Sequence, residues 1–210
     1  MGVRFVAVAE GFDSLTAGKD EEGYLIPLRN VMNEFYSRDI SRKIGSALAL
    51  RQQRGEFIGT WAPYGYRKCA DNPRRIEPDP ETAPVVREIF DLYASGAAYQ
   101  KIAEELNRRG IPSPARYRYQ KGEAKARRYA EALWKPPTIK NILSGEVYLG
   151  HMVQGCRRQS FYEGKGRQRI PQKEWVIVRG THEALVDEGI FKRAQERMEK
   201  GKRSGNLSEP

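Results

Sequence analysis

From Leu28 onward the apolar positions recur at helical spacing: Leu28, Val31, Met32, Phe35, Ile40, Ile44, Ala47 and Leu48, with Gly55 closing the run. This pattern predicts one helix longer than the average globular helix, its first half able to pack on a strand. Ahead of it, the alternating and β-branched RFVAVAEGF (4–12) predicts a single strand ending at Gly11, and DSLTAGKDEEG reads as a polar loop. One strand cannot form a stable sheet, so this opening reads as the tail of a domain.

Beyond the long helix the pattern breaks into short elements. GTWAPYGYRK leads into a turn-rich patch, ADNPRRIEPDPETA, where Asp79 as cap and Pro80 at the first position mark a helix start. That helix carries Val85, Val86, Ile89, Phe90 and Tyr93 and stops at Gly96. A second follows over 98–110, with Ile102, Ala103 and Leu106 inward and Gly110 as its stop. IPSPA breaks the chain before a basic stretch (111–133). A third short helix lies in WKPPTIKNILSGEVYLG, opened by Pro136 and Pro137, packed through Ile139, Ile142 and Leu143, and ended by Gly145. VYLGHMVQG and EWVIVRG read as two strands joined by a basic loop (155–173), and DEGIFKRAQERMEKGKR as a last helix running into a polar tail. The fold class is α+β and mainly α, with a short β-hairpin.

Charge changes this picture. Lys and Arg number 37 against 27 Asp and Glu, giving a formal net charge of +10 and a pI near 9.6. An excess of that size points to an anionic partner, nucleic acid first. No apolar run reaches the length of a membrane-spanning helix and no signal peptide opens the chain, so the expectation is a cytoplasmic protein with no membrane partner. Cys69 and Cys156 stand far apart, without the paired spacing of a zinc site. Neither His151 nor His182 has the support a metal site or a catalytic triad requires, and His182 reads as a hydrogen-bonded structural residue. No phosphate loop and no carboxylate cluster at metal spacing is present. Catalytic and metal-binding residues are therefore expected to be absent from the chain.

The binding chemistry is richer. The helix at 98–109, a break and the helix at 136–144 have the ingredients of a helix-turn-helix with a long insertion. Between Asn107 and Lys135 there are nine Lys/Arg against two acids, and from His151 to Gly180 seven against two. Aromatics are interleaved at Tyr117, Tyr119, Tyr129, Trp134, Phe161 and Tyr162. In a duplex reader, Arg116, Arg118, Lys135, Arg157, Arg158, Lys165 and Arg167 would hold phosphates. The outward face of the 136–144 helix would offer Thr138, Lys140, Asn141 and Ser144 to the DNA, Lys140 as a phosphate contact and Asn141 to a base edge or to the helix end. The second half of the long helix adds Arg38, Arg42, Lys43, Arg51 and Arg54, with few acids to offset them.

In order along the chain, GTWAPYGYRK, IEPDPETAPVVREIFDLYASGAAYQKIAEELNRRGIPSP and WKPPTIKNILSGEVYLG resemble the recombinase domain of the large serine recombinases, the serine integrases and transposon recombinases. EWVIVRGTHEALVDEGIFKRAQERM is similar to the segment that follows that domain, while RFVAVAEGFDS and RNVMNEFYSRDISRKI resemble the last strand and long helix of a resolvase-type catalytic domain. The resemblance implies the end of a catalytic domain at 1–55, a linker at 56–68, a helix-turn-helix-like DNA-binding domain at 69–200 and a polar tail at 201–210. It places the family's nucleophilic serine before Met1, and either Arg42 or Lys43 at the position of a family arginine near the end of the long helix. It further implies double-stranded attachment-site DNA as partner, a dimer or tetramer in the intact recombinase, no metal or nucleotide cofactor, and a bacterial, nucleoid-bound location. In that setting Arg67 and Lys68 of the linker would meet phosphates, and its tyrosines would line a groove or pack on the new domain. The residues taken without the resemblance fit a non-catalytic helix-turn-helix regulator equally well, except the lone strand and over-long helix at the start, and charge alone admits RNA.

Overall fold

A computed structural model describes Arg4, residues 6–7, 12–13, 26–160 and 165–206, with the side chains of 7, 12–13, 26–27, 157–160, 165–167 and 202–206 outside that description. The chain divides into two compact units, one formed by residues 1–49 with 161–164 and the other by 50–160 with 165–210.

In the first unit, β1 (Val6–Ala7) pairs antiparallel with β2 (Phe12–Asp13), Ala7 opposite Phe12. The single strand expected over 4–12 is thus two short ones, because a chain that pairs with itself five residues on cannot run straight between them. The polar loop expected after Asp13 lies outside the described residues, as do the interleaved aromatics Phe161 and Tyr162. Helix α1 (Ile26–Gln53) has 28 residues, and the long-helix prediction holds within two residues at each end. Its apolar face does not pack as expected, since Leu28, Val31, Met32 and Phe35 are 58, 47, 61 and 63% exposed. Its basic half is also less free than composition suggests: Arg38 pairs with Glu34 and Lys43 with Asp39, each one turn back.

The second unit begins in the last turn of α1. There Gly55 N–H donates to Gln52 O and Glu56 N–H to Arg51 O, a Schellman closure that requires the left-handed φ of +70° at Gly55. A side chain at Gly55 is excluded twice over, because a Cβ would lie 2.5 Å from Thr181 Cγ2.

Residues 56–68, expected as a linker, are built into this unit. Tyr66–Lys68 form β3, antiparallel to β4 (Ile76–Pro78), and Tyr64 and Tyr66 are buried. A turn explains it: Tyr66 N–H donates to Pro63 O and Gly65 takes a left-handed φ of +95°, a bend that leaves both tyrosines in the core, where their area stabilises the fold. Tyr64 Oη donates to Pro112 O, and Tyr148 Oη donates to Tyr64 O. The Gln154 side-chain amide also brackets this segment, donating to Glu56 O and accepting from Ile58 N–H.

Around these strands pack α2 (Ala83–Ala94), α3 (Tyr99–Arg108), α5 (Pro136–Leu143) and α6 (Glu188–Asn206). Val86, Ile89, Phe90, Ile102, Leu106, Ile139 and Leu143 are almost wholly buried, each stabilising the fold by about 1.5–3 kcal/mol. Helix α2 starts a turn later than Asp79-Pro80 suggested, with Thr82 at the cap. Asp79 instead closes the preceding turn, its Oδ1 accepting from Glu81 N–H and its carbonyl from Ala83 N–H. The basic stretch after the IPSPA break contains α4 (Pro114–Gln120), opened by Ser113, whose Oγ accepts from Arg116 N–H. The expected hairpin is present as β5 (Met152–Gln154) against β8 (Val176–Val178), Val153 opposite Ile177. Between them the basic loop forms a hairpin of its own, β6 (Arg157–Ser160) and β7 (Lys165–Arg169). The tail expected from 201 continues α6 to Asn206.

Candidate nucleic-acid interface

Helices α3 and α5 pack directly on each other, with α4 inserted between them in sequence. The entry to α5 is held by one side chain. Asn107 Nδ2 donates to Trp134 O at 3.0 Å, and Trp134 N–H donates to Asn107 Oδ1 at 2.8 Å. Trp134 is itself buried, its indole N–H donating to Ile111 O. At the other end Gln195 of α6 donates to Leu143 O, occupying a terminal carbonyl of α5.

With Ile139, Ile142 and Leu143 facing the core, α5 presents Lys140, Asn141 and Ser144 to solvent and Thr138 half-exposed. The four residues named from the sequence therefore do share the outward side of this helix. Ser144 is committed in part, its Oγ donating to Lys140 O at 2.7 Å. Lys135, exposed, sits at the N-cap position of the same helix.

A second group converges on a cleft of about 610 Å³ between α4 and the β3 segment, lined by Trp61, Tyr64, Arg67, Lys68, Tyr117 and Arg118 among others. Three of the predicted phosphate-binding residues meet here. Arg118 lies over the Trp61 ring (5.4 Å), Lys68 over Phe57 (5.6 Å), and Arg67 Nε bonds Glu77 Oε1 at 2.8 Å. Tyr117 Oη donates to Asp79 Oδ2 at 2.6 Å, and burial together with that carboxylate pushes its pKa upward, so the phenol stays a neutral donor. Acids temper this cleft: Glu81 pairs with Lys121, and Asp79 and Glu123 add to its walls. Its aromatic floor can stack or pack, while its net charge is small.

The remaining predicted residues fall elsewhere. Arg38, Arg42 and Lys43 belong to the first unit, whereas Arg51 and Arg54 stand at the end of α1 in the second. Arg116 is half-exposed on α4. Arg157, Arg158, Lys165 and Arg167 lie on the β6–β7 hairpin, but their side chains are outside the described residues. Sequence reasoning does not single out Trp61, 46% exposed, although a tryptophan two residues before a proline in a basic chain is a readable signal.

His182 is structural, as expected. Its Nε2 donates to Val147 O, its Nδ1 accepts from Thr181 Oγ1, both at 2.8 Å, and the ring meets Tyr66 edge-on. Burial lowers its pKa, with nearby His151 acting in the same direction. Among the described residues no group of three His, Cys, Asp or Glu could hold a metal ion, and no helix is long and apolar enough to cross a membrane.

Comparison with known proteins places these elements. The family model described as Recombinase matches residues 80–201, more than half of the chain. Two solved structures are similar over 75% of this chain. One, described as "Sequence Requirements of the Listeria innocua prophage attP site", has 18% identity and a TM-score of 0.48. The other, described as "Crystal Structure of a LSR-DNA Complex", has 16% identity and the same score. The chain spans 51% and 39% of the length of those two proteins. The span matched by the family model runs from the approach to α2 into α6 and so contains the whole α3–α5 pair. The chain belongs to the Recombinase family, as its ordered resemblance to the large serine recombinases implies.

Proposed function

We propose that this chain binds duplex DNA sequence-specifically as part of a site-specific serine recombinase that integrates or excises a mobile element. One observation carries the reading: inside the span matched by the family model, α5 buries Ile139, Ile142 and Leu143 and turns Lys140 and Asn141 to solvent. A helix so clamped at both ends is a rigid element for a groove, with small polar side chains for base edges and flanking cations for phosphates. In the intact protein, a serine would attack a phosphodiester, hold the DNA as a phosphoserine link, and release it when the ends are rejoined. That protein would act on attachment sites in the bacterial nucleoid as a dimer or tetramer. The test is footprinting of the chain on DNA flanking its element, followed by titration against a scrambled duplex and a matched RNA hairpin. Protection of a defined site with preference for that duplex is expected. Equal affinity for all three probes would overturn the reading.

A further inference from the structure

We infer that Arg54, Arg74, Arg75 and Arg179 form a phosphate-binding cleft at the end of α1 that grips the DNA backbone independently of sequence. The inference rests on the duplex-binding reading above and joins to Arg54, which the basic half of the long helix already offers, three arginines that neither motif nor spacing indicates.

Three distant segments build the cleft, whose volume is about 530 Å³. Arg54 is the last residue before Gly55, Arg74 and Arg75 form the tip of the β3–β4 hairpin, and Arg179 follows β8. The convergence is fixed by backbone geometry. Phe57 N–H donates to Arg74 O at 2.7 Å, tying the hairpin tip to the chain leaving α1. The missing side chain at Gly55 lets that chain lie against Val178 and Thr181, either side of Arg179, and Thr181 N–H is bound in turn to Gly150 O. Asn72 shapes the tip, its Oδ1 accepting from Arg74 N–H and its carbonyl from Arg75 N–H.

Four guanidiniums face one carboxylate among the lining residues. Among the described residues that carboxylate, Glu56, pairs only with Arg74, at 3.5 Å, and its Oε2 is buried without a hydrogen bond. Arg54, Arg75 and Arg179 are exposed and form no ion pair with any described residue. The aromatic cleft beside α4 holds four cations against three acids, so the charge here is far less compensated. Like charges held together on a rigid frame repel one another, and an anion with several acceptor oxygens relieves that repulsion through forked hydrogen bonds. Phosphate is that anion. Its source is the DNA backbone in our reading, with a free polyphosphate as the rival source.

The test uses the full chain and a duplex carrying its footprinted site, beside a random duplex of equal length. Arg75→Ala with Arg179→Ala should flatten the dependence of log affinity on log salt by about 2, near 0.9 for each phosphate left unneutralised. Both duplexes should weaken by the same factor, and Arg75→Lys with Arg179→Lys should restore most of the slope. If the alanine pair loses its cooperative thermal unfolding, Arg54→Gln replaces it, with an expected slope change near 1. An unchanged slope in a chain that still binds duplex would overturn the cleft while leaving the proposed function standing. A wild-type chain that binds no duplex removes both. Pyrophosphate binding that the alanine pair abolishes, with the duplex slope intact, would assign the cleft to a free polyphosphate instead.

Discussion

The side chain of Asn107 and the backbone of Trp134 form a closed two-bond pair, amide to peptide, across 27 residues of sequence. It works as one rung of a sheet ladder would, and joins the end of α3 to the residue before the cap of α5. Asn107→Ala leaves a peptide N–H and a carbonyl without partners next to a buried indole. The expected cost is about 1–3 kcal/mol, read as a lower midpoint in urea at unchanged m-value. A loss of specific binding larger than this instability accounts for would show that the pair also sets the pose of α5.

Asn141→Ala tests base readout. It should narrow the gap between the footprinted site and random duplex by about 1–3 kcal/mol, whereas Lys140→Ala should weaken both about equally. Equal losses on both DNAs for Asn141→Ala, with the circular dichroism spectrum intact, would remove base recognition from this position.

Arg197 of α6 reaches the end of α2, bonding Tyr93 O, Ala97 O (2.8 Å) and Gly96 O (2.6 Å) while lying 4.4 Å over the Tyr93 ring. A cation there meets the negative end of the helix dipole as well as the carbonyls of the turn that closes it. Arg197→Ala should lower stability by about 2 kcal/mol by chemical denaturation. Arg197→Lys should recover only part, since an ammonium cannot span three carbonyls with a planar fork. Full recovery by lysine would mean that charge alone matters.

His182 makes stability depend on pH in one direction. Its pKa is lowered in the folded chain, chiefly by burial, so the unfolded chain takes up the proton more readily. Its contribution is therefore intact above the ordinary histidine value of about 6.5 and declines as pH falls from there toward the folded pKa. Unfolding followed from pH 8 to pH 5 should show a steeper acid loss for the wild type than for His182→Gln. Parallel curves would place the acid sensitivity elsewhere.

Helices are legible in the sequence where apolar residues recur often enough to mark a face. Ile102, Ala103 and Leu106 mark α3, and Ile139, Ile142 and Leu143 mark α5, each closed by a glycine. Helix α4 has no fully buried residue and so no period, although Ser113-Pro114 is a cap followed by a first-turn proline. Residues 56–68 pass for a linker because β3 and β4 are three residues each, too short for alternation to separate a strand from a turn. The outward face of α5 is legible because it is local. The arginine cleft is not: Arg54, Arg75 and Arg179 become neighbours only through the close approach at Gly55 and the tie from Phe57 to Arg74, neither of which leaves a spacing in the sequence.

The bracket that Gln154 places on Glu56 and Ile58 has a consequence for how the chain is made. Tyr66 reaches Glu183 O, 117 positions on, and Tyr148 closes on Tyr64 from 84 positions away. A ribosome adding roughly 5–20 residues per second would hold the aromatic segment at 57–66 without its partners for roughly 5–20 s. Helices α2 and α3 have local contacts and can form in that interval, whereas the strand segment must wait for the far end of the unit. Its tyrosines stay uncovered until that end is made, as does the face of α2 on which Phe191 of α6 closes over Phe90.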